Sequence, residues 1–316
     1  MKMFLDMVPI ALMFSAPIII AALGGLFSER SGVVNVALEG IMMVGGFFAA
    51  TVTVFMEGVN PALAPWMGMA VGLLAGILFS ILHAIASVNL KADQVVSGTA
   101  LNILAGGLTV YLAQIIFNQQ RTRAFSRGLS TINVPGLLNI PLLGKILFQN
   151  IYPTFYVALI LILLTWFLVY KTRLGLRLRS CGENPQAAAS MGIDVYKIRY
   201  FGVLMSGAFA GLAGSVMVLT QDIQYTITSI HGTGFIALGS LIFGKWNPWG
   251  VLGAGLFFGF SQAISLYAKD IPFLASFPQE FFYLLPYVLT ILALILFSNR
   301  SVGPKAAGEI YDPGKR

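Results

Sequence analysis

The chain is poor in the residues that carry most protein chemistry. It has one cysteine, Cys181, and two histidines, His83 and His231, in 316 residues. A lone cysteine excludes an internal disulfide and a thiolate metal cluster. Neither histidine has a carboxylate or cysteine at ligand spacing, so no metal site is expected and both read as structural. No grouping of nucleophile, base and orienting residue is present, which argues against an enzyme. Charge is scarce as well. Asp, Glu, Lys and Arg make up 10% of the chain against 57% apolar residues, more apolar surface than one soluble core can hide. The surplus must face lipid. The formal charge of +7 is no nucleic-acid signature, because the basic residues sit in short segments between apolar runs.

What fills the chain instead is a series of apolar runs, each long enough to cross about 30 Å of hydrocarbon as a helix. The expected fold is all-α: a polytopic transmembrane bundle of about nine spans, with eight or ten also compatible, forming a single membrane domain over residues 1–316. The runs lie near residues 8–27, 33–56, 62–88, 94–117, 151–170, 201–220, 234–244, 248–267 and 281–297. The seventh is short enough to be a partial or broken helix. The first lacks a clear cleavage site and has Asp6 in its leading segment, so it reads as a span rather than a secretory signal.

Lys and Arg in the loops set the orientation. Residues 171–200 carry Lys171, Arg173, Arg177, Arg179, Lys197 and Arg199 and are placed in the cytoplasm. Parity then puts the tail 299–316, with Arg300, Lys305, Lys315 and Arg316, on the same side and the amino terminus outside. Residues 118–150 become an extracytoplasmic loop, in tension with Arg121, Arg123, Arg127 and Lys145; a re-entrant segment around 137–147 would relieve it. The loop 221–233, with Asp222, Tyr225, Thr226 and His231, is also expected outside.

Within the basic loop the spacing predicts a short helix. Asn184 is a good N-cap, Pro185 suits the first helical position, and Gly192 accepts the left-handed turn that ends it. From the residues alone, a handle gripped by another protein and a helix resting on headgroups are equally open.

The run Gly182-Glu183-Asn184-Pro185-Gln186-Ala187-Ala188-Ala-Ser-Met191-Gly192-Ile193, followed by Ser206-Gly207-Ala-Phe-Ala210-Gly211-Leu-Ala-Gly214, resembles the coupling segment of ABC importer permeases of the ribose and branched-chain amino acid type. Glu29-Arg-Ser-Gly-Val-Val-Asn35-Val-Ala-Leu-Glu39-Gly40 and the stretch from Gly234 to Pro248 are similar to the nucleoside and simple-sugar branch of that family. The resemblance implies a subunit that moves nucleosides across a bacterial cell membrane by alternating access. Ribose-like sugars and branched-chain amino acids are the substrate alternatives. It further implies a cytoplasmic ABC ATPase that binds ATP and Mg in this chain's stead, a second permease subunit, homologous or identical, and an extracytoplasmic substrate-binding lipoprotein. In this resemblance Gly182, Glu183, Asn184, Pro185, Gln186, Ala187, Ala188, Met191 and Gly192 form the contact with the ATPase.

Inside the membrane, Glu39 is the clearest ionisable residue, with Asn35 one turn before it. Such a charge must face a polar path or a hydrogen-bond donor. Gln94, Asn102 and Thr109 lie on one stripe of a neighbouring run, so the two faces are candidates to flank a translocation path. Ser206, Gly207, Ala210, Gly211 and Gly214 form a small-residue face for close helix packing. Gly239 to Lys245 has P-loop spacing, but Trp246 stands where a magnesium-binding hydroxyl is needed and the stretch lies in an apolar run. Lys245, Trp246 and Trp249 read instead as membrane-edge residues. A stand-alone secondary transporter or channel remains the alternative of a different class, though Glu39 has no evident cationic partner in another span.

Overall fold

The computed structural model describes residues 2–134, 136, 144, 148–268, 281, 282, 284, 288, 291, 292 and 303–314. Among the described residues the regular structure is helical, with one isolated bridge, Ile132 with Ile151. In chain order the helices are α1 (Lys2–Arg30), α2 (Leu38–Glu57), α3 (Ala64–Ala84), α4 (Gln94–Phe117), α5 (Pro153–Lys171), α6 (Arg173–Glu183), α7 (Pro185–Ser190), α8 (Val195–Gln221), α9 (Thr233–Phe243) and α10 (Pro248–Tyr267). A π-helical turn, Ile85–Asn89, extends α3. Among the described residues, seven helices are long and apolar enough to cross a membrane. The expected seventh span is the 11-residue α9, and the ninth, 281–297, falls largely outside the described residues, as do 137–143 and 145–147.

The bundle is organised around α8, which packs along α1, α2 and α3, while α10 and α9 close the other side of α1. Small residues make this possible. A Cβ added to Gly214 would lie 2.0 Å from the Met42 carbonyl oxygen, one on Gly211 2.4 Å from that of Gly72, and one on Gly207 2.1 Å from the Ser80 hydroxyl. Dispersion across such backbone contacts, rather than exclusion from water, drives helices together in lipid. The outer helices are open instead: Ile103 of α4 is 79% exposed and Ile160 of α5 63% exposed, as lipid-facing positions require.

Two ends can be told apart by chemistry. At the basic end Arg30 meets Glu183, Lys91 meets Asp312, and the 303–314 segment lies against α6. At the opposite end Glu57 accepts hydrogen bonds from the Ser126 and Arg127 amides, and Phe125 and Thr122 pair with the backbone of Ile223 and Tyr225. The described part of 118–150 therefore lies across the bundle from 171–200.

One expectation is corrected. Trp246 is not a membrane-edge anchor: its indole donates to Glu29 Oε2 at 2.5 Å and it is buried at the foot of α9, while Trp249 is half exposed. The loop 221–233, expected outside, lies at the end opposite the basic one, where Ile223 and Tyr225 pair with Phe125 and Thr122. It folds back into the bundle, with Tyr225, Ser229 and Ile230 buried, so that α9 begins inside the protein rather than at its surface. The sequence hid this because the loop's polar residues find partners within the bundle.

Candidate functional site

The chain between α1 and α2, residues 31–37, is not helical. It touches α8 where Asn35 Nδ2 donates to Ser206 Oγ at 2.8 Å, about 10 Å along the helix from Arg199 at its basic end. It touches α4 at Asn102, about 12 Å from the helix start. The break thus lies within the thickness of the bundle, where backbone groups have no water and must be satisfied by protein.

The amides of Ser31, Gly32 and Val33 turn back to the carbonyls of Ser28 and Glu29, and side chains take over from there. Gln94 Oε1 accepts from Val34 N at 2.7 Å, and His83 Nε2 lies 3.0 Å from Val34 O. Asn102 bridges the end of the break, its Nδ2 donating to Val36 O at 3.0 Å and its Oδ1 accepting from Gly40 N at 2.8 Å. Asn35 Oδ1 accepts from Ala37 N, and Ser28 Oγ donates to Val33 O at 2.6 Å. Three of the five residues named as path candidates, Asn35, Gln94 and Asn102, therefore meet on this one segment, and Glu39 follows it in the first turn of α2. Thr109 does not; it sits deeper in α4 and accepts from the Tyr225 hydroxyl at 3.0 Å.

Glu39, in the first turn of α2, reaches across to α9. Its Oε1 accepts from Gly232 N at 2.8 Å and its Oε2 from Gly234 N at 2.7 Å. The carboxylate thereby fills the positive N-terminus of a half-length helix that starts inside the bundle. Its partner is a helix terminus, not the cationic side chain that the sequence search looked for. Gly232, at φ +77, makes the turn that presents these amides, and a Cβ on Gly234 would lie 2.5 Å from Glu39 N. The foot of α9 is tied as firmly: Arg30 donates to Trp246 O at 3.0 Å beside the Glu29–Trp246 bond. α1, the break, α2 and α9 form one strapped unit.

At the basic end, α7 stands between two clefts. Asn184 Oδ1 accepts from Ala187 N at 3.0 Å, Pro185 opens the helix, and Gly192, at φ +78, follows its end, where Ile193 N returns to Ala188 O at 3.1 Å. Pro185 and Ala188 face the bundle, whereas Glu183, Asn184, Ala187, Ser190 and Met191 face out, Met191 being 82% exposed. One cleft, of about 660 Å³, runs from Glu183 to Gln186 and along 305–311; the other, of about 750 Å³, lies between Arg173, Arg177, Met191 and Lys197. Asp194 caps α8, and the Lys197 amide and ammonium hold its carboxyl below the usual range. On α6, burial pushes the Cys181 thiol up to about 11.

A family model described as branched-chain amino acid transport system / permease component matches residues 7–294. The chain belongs to this permease family. The permease is 46% identical, over 98% of its length and 97% of the relative's, to a guanosine ABC transporter permease protein of Bacillus subtilis. It is 42% identical to a nucleoside ABC transporter permease protein of Lactococcus lactis, over 96% of each chain. A putative glucose ABC transporter permease protein of Haloferax volcanii is 33% identical over 80% of this chain and 75% of its own. The seven apolar helices and this membership make the permease a multi-pass plasma-membrane protein.

Several residues that build the site escape a reading of the sequence. His83 looked solitary, yet its second ring nitrogen lies 3.1 Å from Ser97 Oγ, fixing the ring between the break and α4. Glu29, Arg30 and Trp246 gave no signal as a cluster, because they are joined only by the return of α9 to the end of α1.

Proposed function

We propose that the permease is the membrane-spanning subunit of an ATP-driven nucleoside importer, with the basic end in the cytoplasm. The observation that carries this reading is the capped, outward-facing helix α7, set between two clefts on a chain whose relatives are named as guanosine and nucleoside permeases. A partner ABC ATPase grips the exposed face formed by Glu183, Asn184, Ala187 and Met191, and ATP and Mg stay on that partner. Gly182 and Pro185 seat the helix on the bundle, and a rigid capped helix passes on a displacement that a slack loop would absorb.

The movement reaches the break at residues 31–37. Asn35, Glu39, Gln94 and Asn102 border the translocation path as its framework: their polar atoms hold backbone, so the wall keeps its shape while the substrate passes without tight binding. Thr109 and Tyr225 line its upper part. Capture of substrate belongs to an extracytoplasmic binding lipoprotein, and the path is completed by a second permease subunit, homologous or identical. On the nine-span count the tail shares the cytoplasmic side with α7.

The glucose permease relative and the family's description favour simple sugars and branched-chain amino acids as the second reading. Uptake of labelled guanosine by the assembled complex in vesicles, competed with uridine, ribose and leucine, decides between them. Nucleosides are expected to compete; displacement by leucine or ribose alone refutes the assignment. Uptake by the purified chain without any ATPase, under an ion gradient, would refute the ATP-driven role.

A further inference from the structure

The segment 303–314 has no regular structure, yet it is not a loose tail. Gly303 lies under the Trp246 ring, where an added Cβ would be 3.0 Å from two ring carbons. Ala306 N donates to Gly182 O at 2.8 Å, at the end of α6, and Gly308 N donates to Gly32 O at 3.2 Å, at the first turn of the break. Arg199 of α8 donates to Glu309 O at 2.9 Å and lies over the Tyr311 ring, 5.9 Å from its centroid. Tyr311 packs edge-on against Tyr196, with centroids 5.5 Å apart, and is 8% exposed. Asp312 then makes two contacts: its carbonyl accepts from Gln186 Nε2 of α7 at 2.7 Å, and its carboxylate pairs with Lys91, between α3 and α4, at 3.2 Å.

One short strand of chain thus bonds to the ATPase-facing helix, to the foot of the intramembrane break and to the turn leading into α4. Among the bonds described, no direct hydrogen bond joins α7 to the break. The strap joins them, through Gln186 at one end and Gly32 in its middle. Backbone hydrogen bonds at fixed sites make it inextensible over this distance, which is what a tie requires and a solvated tail lacks.

We propose that residues 303–312 are a transmission strap, in which Tyr311 and Asp312 are positioning residues that carry displacement of α7 to the break at Gly32 and to α4 at Lys91. This rests on the importer reading above and adds a second route from the motor to the path, beside the covalent one through α8. Without the strap the ATPase is expected to turn over while the break no longer follows it.

The test uses the full complex in vesicles, measuring uptake, ATP hydrolysis and the amount of assembled complex together. Tyr311→Ala and a chain ending after Gly308 are expected to lower substrate moved per ATP by about tenfold, with assembly and hydrolysis retained. Asp312→Lys is expected to lower the same ratio a few-fold, and the paired Asp312→Lys, Lys91→Asp exchange to restore it in part, since the pair is exposed and individually weak. An unchanged ratio in both Tyr311→Ala and the shortened chain overturns the proposal. Loss of assembled complex in Tyr311→Ala also overturns it, because the strap would then only hold the fold together. Ala187→Glu on the outer face of α7, measured in parallel, separates the two claims: normal uptake there sinks the importer reading itself, whereas uncoupling there beside intact strap variants sinks the strap alone.

Discussion

The break at residues 31–37 and the helix α7 are both short, and they are treated in opposite ways. The break is sealed: its amides and carbonyls are met by Ser28, His83, Gln94 and Asn102, and Glu39 and Asn35 tie it to α9 and α8. α7 satisfies its own backbone through Asn184 and the turn at Gly192, leaving the outer side chains of Ala187 and, just past its end, Met191 exposed to meet something else. A polar residue inside the membrane is engaged by the backbone it rescues; one at the membrane edge is available to a partner.

The hardest way to break that comparison is to pry open the walls that enclose the break. Gly214→Leu places a side chain where the Met42 carbonyl stands, at a cost of about 3 kcal/mol, the upper end for overpacking, because backbone cannot yield. No folded permease is expected in membranes by detergent extraction and size-exclusion chromatography; a normal yield would mean that α2 and α8 are not packed this way. Next comes Glu39→Ala, which strips both acceptors from Gly232 and Gly234 and costs about 1–3 kcal/mol for each orphaned amide. Uptake should fall more than about tenfold and the melting temperature should drop, with Glu39→Gln milder because an amide oxygen still accepts one bond. If Glu39→Ala melts like the parent, the carboxylate is not holding α9.

A smaller and more selective effect is expected on the exposed side. Met191→Asp should leave insertion and melting unchanged, because the side chain touches little of its own chain, while uptake by the complex falls about tenfold. A melting shift in that variant would erase the distinction between a sealed and a presented region. Ala188 behaves differently from Ala187 and Met191. It is 3% exposed and faces the bundle, so a charged residue there tests the seat of α7 rather than its grip on a partner.

The smallest effect concerns Cys181, buried at the base of α6. Its thiol stays protonated to about pH 11, so maleimide at pH 8 should leave the intact permease unlabelled and active. With the folded value raised above the unfolded one, this thiol's contribution to stability is present below pH 9.0 and is lost between 9.0 and about 11. Cys181→Ala should flatten that part of the melting profile; an identical profile would show that the thiol does not contribute.

Much of the architecture was legible in the chain. Apolar runs placed the helices of the described bundle to within a few residues, since a stretch facing lipid must be apolar along its whole length. The caps of α7 were legible too, because Asn184, Pro185 and Gly192 act on their own neighbours. The small face from Ser206 to Gly214 announced close packing but not its partners, which are Gly72 and Gly76 of α3, Met42 of α2 and Asn35.

What the sequence by itself determined was membership of the membrane, the family resemblance and every feature that depends on residues a turn or two apart. Only the tertiary structure decided that polar residues of α3 and α4 meet on one broken segment, that Glu39 caps α9, and that the tail crosses from α7 to Gly32. Those contacts join residues as far apart as Gly32 and Gly308. A hydrogen bond made across the fold leaves no period or spacing in the chain, because either partner alone is only a polar residue in an apolar run.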